Sequence, residues 1–246
     1  MENQDDILYI VAPAYNEEDN IEKFVKEWYG LLPPPPYSEL SRLVIADSGS
    51  SDSTHAILNK LKERYPKLEI LSDTKKEHGP KVIALYEYAI EKGADYIFQT
   101  DSDNQTSSDE FWDFWEARNK FDGIFGYRNT REDGCFRSFT EKVVCLLLKI
   151  YFKIDVPDAN APFRLMKCDK VKKYLCNLPL DYNLPNIMMT TYFVYYKEKV
   201  DFLTISFKSR KAGTNSVNVR KIIKIGWQAL WDFHKLRKNM NKEFVK

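Results

Sequence analysis

Asp101, Ser102 and Asp103 directly follow the largely apolar run Tyr96-Ile-Phe-Gln-Thr100. Two carboxylates one residue apart at a strand end can both reach a hard cation, directly or through water. Mg2+ and Mn2+ favour oxygen ligands and keep several waters, which leaves coordination positions for diphosphate oxygens. A cation held there would act as a Lewis acid toward a departing diphosphate. Acids at strand ends also make ordinary turns and caps, so the neighbouring motifs have to decide. The second motif is Asp47-Ser-Gly-Ser-Ser-Asp52-Ser-Thr54. Gly49 permits a tight turn, the small hydroxyls let backbone approach a ligand, and Asp47 can accept a hydrogen bond from a base N–H. A capped strand-to-helix turn would look the same on its own. Arginines form the third group. Arg128, Arg131, Arg137, Arg164 and Arg210 recur in or beside predicted loops, and a guanidinium fork suits bidentate binding of phosphate. Surface ion pairing is the ordinary alternative for any one of them. Arg164 stands apart, because Pro162-Phe-Arg-Leu-Met166 places it beside a predicted buried strand.

The elements that position these residues follow from hydrophobic periodicity. Strands are predicted over 7–12, 43–46, 68–71, 94–100, 123–126 and 200–207, with a loop over 158–166 that leads into a further strand. Helices are predicted over 16–29, 52–64, 80–92, 139–154, 169–175 and 187–197, and a basic amphipathic helix over 218–238 with Val219, Ile222, Ile223, Trp227, Leu230 and Trp231 on one stripe. Ser51, Asp52 or Ser53 is expected to cap the second helix. Prolines 33–36 form an extended connector. Strand and helix alternate at a spacing that calls for a parallel sheet with crossover helices. Ligands of such sheets bind beyond the carboxyl ends of the strands. The segments there are Pro13-Ala-Tyr-Asn-Glu17, Asp47-Ser-Gly-Ser50 and Asp101-Ser-Asp103, so three acid-bearing turns converge on one edge.

The 246 residues suffice for one α/β domain with a small appendage. The boundaries expected are a catalytic domain over 1–216 and a basic C-terminal helix and tail over 217–246. Apolar residues make up 43% and charged residues 30%, which excludes a disordered chain. The four cysteines, at 135, 145, 168 and 176, have no CxxC spacing and no histidine cluster. Reduced thiols are expected rather than zinc ligands or disulfides. No apolar run reaches the roughly 18–20 residues that a membrane-spanning helix needs, and no signal-peptide core precedes the first strand. The expected location is cytoplasmic, including the cytoplasmic membrane face. The net charge of +1 conceals an asymmetry: from Leu203 onward there are eleven Lys/Arg against two acids. That tail suggests an anionic surface such as phosphate groups or a membrane face, or simply a solvated helix face. No nucleic-acid partner is expected. A membrane partner protein and a homodimer contact are left open.

Together the three turns resemble the family-2 glycosyltransferases, over roughly the first 130 residues. The matching stretches are Val11-Ala-Pro13-Ala-Tyr15-Asn16-Glu17, Asp47-Ser-Gly49-Ser50-Ser-Asp52-Ser-Thr54 and Asp101-Ser102-Asp103. The resemblance implies a GT-A fold, an α/β architecture with a mostly parallel sheet flanked by helices. It also implies inverting displacement from a UDP- or GDP-sugar donor with Mg2+ or Mn2+. Pro13, Tyr15 and Glu17 would then contact the nucleoside, Asp47 the base, and Asp101, Ser102 and Asp103 the diphosphate, with the metal on Asp101 and Asp103. Ser48 departs from the pattern, because many members carry a second Asp there.

The second half is similar to the polyprenyl-phosphate branch of that family. The stretches are Gly126-Tyr-Arg128, Arg137-Ser138, Asp158-Ala-Asn-Ala-Pro-Phe163-Arg164 and Phe207-Lys-Ser-Arg210-Lys-Ala-Gly213. This implies a lipid-phosphate acceptor held by Arg128, Arg137, Arg164 and Arg210, with Arg128 and Arg164 acting beside Asp101 and Asp103 in catalysis. The branch's Ser-Lys pair is missing after Gly213, and the helix stretch Pro185-Asn-Ile-Met-Met189 lacks the branch's acid. A hydroxyl acceptor needs a general base, whereas a phosphate is already anionic and needs cationic positioning. The arginines therefore favour a phosphate acceptor, and Asp158 is the candidate base if the acceptor is a saccharide. The alternatives are extension of a capsule or surface glycan, and a nucleotide-sugar-binding protein without catalysis. A dehydrogenase is disfavoured, because no GxGxxG follows the first strand.

Overall fold

The computed structural model describes residues 6–32, 39–128, 135–208, 231 and 233–238, with the side chains of 135–139 outside the description. Expectations for Arg131, Arg210, Trp227 and most of the 218–238 helix, and for the side chain of Arg137, fall outside the described residues.

Seven strands form one sheet: β1 (Leu8–Ala14), β2 (Arg42–Asp47), β3 (Leu68–Leu71), β4 (Tyr96–Gln99), β5 (Gly123–Tyr127), β6 (Arg164–Lys167) and β7 (Val200–Thr204). Their order is β3-β2-β1-β4-β6-β5-β7. All run parallel except β6, which is antiparallel to both β4 and β5. Among the described residues, the helices around the sheet are α1 (Ile21–Tyr29), α2 (Thr54–Arg64), α3 (His78–Glu91), α4 (Phe111–Ala117), α5 (Cys135–Phe152), α6 (Cys168–Leu175) and α7 (Pro185–Tyr195).

Every residue of β1 is buried, as a continuous apolar run in the middle of a parallel sheet should be. Alternate residues serve opposite cores. Tyr9 and Val11 face α3, α5, α6 and α7. Leu8, Ile10 and Ala12 face α1, α2 and α4, where Trp28, Phe98, Phe111, Phe114 and Phe163 pack ring on ring. This mostly parallel sheet covered on both faces is the expected architecture.

Several boundaries differ from the expected ones, each for a physical reason. β1 continues through Pro13 to Ala14, because β4 pairs only as far as Val11 and the missing proline N–H costs no bond on that side. α1 starts at Ile21, not Asn16, because Asn16 adopts φ +53° and Glu17 to Asn20 form a turn closed on the Glu17 carbonyl. α2 begins at Thr54 after Ser53, yet no side chain caps it. Asp52 instead accepts bonds from the Thr54 amide and hydroxyl. α7 begins at Pro185, a favoured first-turn proline, and stops before Lys197 at φ +57°. α4 and the 3₁₀ turn Ser108–Glu110 before it are additions to the expected elements.

Candidate active site

The carboxyl ends of β1, β2, β4 and β5 and the start of the reversed strand β6 all open on the same edge of the sheet. That edge carries the three acid-bearing turns.

The first two turns are bonded to each other. Asn16 donates its amide to Ser50 Oγ (3.0 Å), and its Oδ1 accepts from the Ser51 amide (2.8 Å). The Glu17 amide donates to Thr54 Oγ1 (2.8 Å) and the Glu18 amide to Asp52 (3.1 Å). Gly49 makes the bend at φ +72°, a region that strains other residues. Asp47 ends β2 with only 1% exposure. Its Oδ1 accepts from Ser50 Oγ at 2.5 Å, and its Oδ2 lies 3.1 Å from His55 Nδ1. Each carboxylate oxygen keeps a further acceptor lone pair. Ser48, the departure from the motif, bonds to Thr74 Oγ1 and the Lys75 carbonyl.

The third turn is seated on the first. Ser102 is buried and donates to the Pro13 carbonyl at 2.9 Å, and Asn104 donates to the Asn20 carbonyl. Asp101 lies 3.2 Å from His78 Nε2, and Asp103 accepts from the Gln105 amide at 3.1 Å. Both aspartates are partly exposed. The donor set is hard oxygen on a rigid turn, which fits a divalent cation that keeps waters and takes substrate oxygens. Among the described residues no group of three or more His, Cys, Asp or Glu converges, so further ligands would come from water and substrate.

Two basic side chains at this edge carry no mark in the sequence motifs. Lys81 is buried and donates to the Ala14 carbonyl at 2.5 Å. Burial lowers its ammonium to about 8 against the opposing pull of Asp47. Its Nζ and that of Lys76 lie over the Tyr15 ring at 5.3 and 4.8 Å, which fixes an aromatic face on the first turn. His78 opens α3. Burial lowers its pKa, but the carboxylates of Asp101 and Asp103 raise it further, and the net shift is upward. Both residues lie in the first turn of α3, whose Gly79 lets the helix abut the Tyr182 carbonyl, 2.3 Å from where a Cβ would stand. The signal available in the sequence was the charged run Lys75-Lys76-Glu77-His78 leading into Gly79-Pro80; nothing in it distinguishes a site from a solvated loop.

Glu17 is buried and accepts from Asn20 Nδ2 at 2.7 Å. The second-half residues form a separate, buried polar layer. Arg128 ends β5 and grips Asp158, Nε to Oδ2 at 2.7 Å and Nη2 to Oδ1 at 2.8 Å. Glu141 lies 3.5 Å from the same Nη2 and accepts from the Ala159 amide at 2.9 Å. Burial and the neighbouring Asp158 raise the Glu141 carboxyl to about 7. Asp158 moves the other way: burial opposes ionisation, but Arg128 and the amide donors hold it below the usual carboxylate range. Arg164 is buried and donates to the carbonyls of Ala161 (2.6 and 3.1 Å) and Asn186 (2.9 Å) and to Thr190 Oγ1 (3.4 Å). The Asn186 Oδ1 beside it is buried with no hydrogen-bond partner.

The glycosyl transferase family 2 model matches residues 9–175, well over half of the chain. The chain belongs to glycosyl transferase family 2. The GT-A fold agrees with solved structures. Glucosyl-3-phosphoglycerate synthase from Mycobacterium tuberculosis, in complex with uridine diphosphate, has a TM-score of 0.64 at 12% identity, over 95% of this chain and 80% of that one. The mannosyltransferase PcManGT from Pyrobaculum calidifontis, in complex with GDP-Man and Mn2+, gives 0.58 at 16% identity, over 84% and 58%. S. aureus TarS 1–349 gives 0.58 at 15% identity, over 82% of this chain; the chain spans 60% of that fragment. No curated protein matches the sequence. The family-2 membership expected from the turns is thus established.

Proposed function

We propose that this family-2 enzyme moves a sugar from a UDP- or GDP-sugar to a phosphate-bearing acceptor, of the polyprenyl-phosphate class. The acceptor phosphate oxygen bonds to the anomeric carbon, the bond from that carbon to the donor diphosphate breaks, and the nucleoside diphosphate leaves with inversion. Tyr15 and Asp47 take the nucleoside, with Pro13 and Glu17 shaping that turn. Asp101 and Asp103 hold Mg2+ or Mn2+, which would neutralise charge on the leaving diphosphate. Ser102 fixes the turn that presents them. Complexes of the structural neighbours with UDP and with GDP-Man and Mn2+ support the donor and metal reading.

One observation carries the choice of acceptor. Asp158, the base a hydroxyl acceptor would need, is already bonded bidentately to Arg128, and α7 opens on the amide Asn186. A phosphate needs no such base. In this reading Arg128 and Arg164 are positioning residues whose donors brace the 158–164 loop, and the direct phosphate contacts are assigned to Arg137 and Arg210. The placement of Glu141, 3.5 Å from Arg128 and beside Ala159, favours a second reading, extension of a surface glycan with that carboxylate as proton acceptor.

The test is a comparison of acceptors. Polyprenyl phosphate should support release of nucleoside diphosphate, while the matching polyprenol and free oligosaccharides should not. Efficient transfer to a saccharide that Asp158→Asn or Glu141→Gln abolishes would replace the phosphate reading with the glycan one.

A further inference from the structure

Along α5 the exposed positions are Lys142, Val143, Leu146, Lys149, Ile150 and Lys153 at the helix's end. They recur at intervals of three and four residues and so share one face. Leu146 is 56% exposed and Ile150 62%. Lys142, Lys149 and Lys153 flank them, and the acid near the face, Asp155, pairs with Lys149 at 2.8 Å. The other acid of the helix, Glu141, turns inward to Arg128 and Ala159. The opposite face supplies the core through Leu148 and Phe152.

A second segment meets the same helix. Phe233 packs on Phe152 with ring centroids 5.8 Å apart, and Phe233 and Leu236 are buried. Two residues before that anchor, Trp231 is 73% exposed. His234, Lys235 and Lys238 face solvent on the same segment. Apolar side chains flanked by lysines make an interfacial surface: the aliphatic chains enter the acyl boundary while lysines reach back to the headgroups.

We infer that the exposed face of α5 docks the enzyme on an anionic lipid surface. Charge complementarity carries this choice of occupant: Lys142, Lys149 and Lys153 flank the apolar residues, and the chain from Leu203 onward holds eleven Lys/Arg against two acids. No helix among the described residues is long and apolar enough to cross a membrane, so the contact is in-plane. The inference goes beyond the transfer reaction and stands whichever acceptor is used.

Flotation of the full chain with phosphatidylcholine vesicles, with and without phosphatidylglycerol, tests it. The protein should float with the anionic vesicles at low salt and remain behind with neutral ones. Leu146→Glu/Ile150→Glu should cut partitioning by roughly tenfold or more, with an unchanged thermal melt because both side chains are exposed. Lys142→Glu/Lys149→Glu/Lys153→Glu should weaken binding to anionic vesicles in the same direction. Absence of flotation at low salt, equal binding to neutral vesicles, or unaltered binding by Leu146→Glu/Ile150→Glu would each overturn it. So would a dimer in light scattering that this double variant splits, since the face would then be a contact between copies.

Discussion

Arg128 and Asp158 hold each other through two charge-assisted bonds, Nε to Oδ2 at 2.7 Å and Nη2 to Oδ1 at 2.8 Å, in a nearly dry site. The pair joins the end of β5 to the loop before β6. Removing one partner strands the other as a buried charge, a loss of roughly 3–5 kcal/mol. Asp158→Ala should therefore lower stability by about that amount in urea unfolding, while the paired apolar replacement Arg128→Met/Asp158→Leu should recover much of it. A fully stable Asp158→Ala protein with no turnover would instead make Asp158 a chemical group.

Glu141 ties stability to pH. Its carboxyl rises from 4.5 unfolded to about 7 folded, chiefly through burial and then through Asp158. The folded state thus binds the proton more tightly. The contribution is complete below about 4.5 and disappears as pH rises through about 7. Glu141→Gln removes it. Relative to Glu141→Gln, the wild type should become less stable between pH 5 and pH 8, measured by urea midpoints at fixed ionic strength. Parallel pH curves for the two proteins would mean that Glu141 is not the titrating group.

The turns at Asp47 and Tyr15 should act on binding rather than on chemistry. Contacts to the nucleoside are the same in ground and transition states and so appear in affinity. A hydrogen bond to a charged group is worth about 1.5–3 kcal/mol. Asp47→Ala should therefore weaken nucleoside diphosphate binding roughly tenfold or more in calorimetry, with little change in kcat. Unchanged affinity would reduce Asp47 to a partner for Ser50 and His55.

The sheet was legible because Leu8 to Ala12, Leu43 to Ala46 and Tyr96 to Phe98 are uninterrupted apolar runs ending at acidic turns, and that pattern has few architectures. The meeting of the turns followed from the same rule. The inward use of Arg128 and Arg164 was not legible. An arginine's partners are carbonyls and acids distant in sequence, such as Asn186 for Arg164, and only the fold brings them together. The reversed direction of β6 was hidden for a similar reason, since a four-residue strand carries no mark of its polarity. α4 escaped because it is seven residues of mixed aromatics and acids, held by Phe111 and Phe114 in the core rather than by helix propensity. Lys81 was hidden because its partners are the Ala14 carbonyl, 67 residues away in the chain, and the adjoining Tyr15 ring.

Metal-assisted sugar transfer from a nucleotide donor is proposed to run at Asp101 and Asp103. The most direct measurement is release of nucleoside diphosphate from a panel of UDP- and GDP-sugars, with polyprenyl phosphate and Mn2+ or Mg2+ present, for the wild type and Asp103→Ala. One donor should support turnover, and both excess EDTA and Asp103→Ala should depress it by at least about a hundredfold. Full turnover in EDTA, or by Asp103→Ala, would contradict the account.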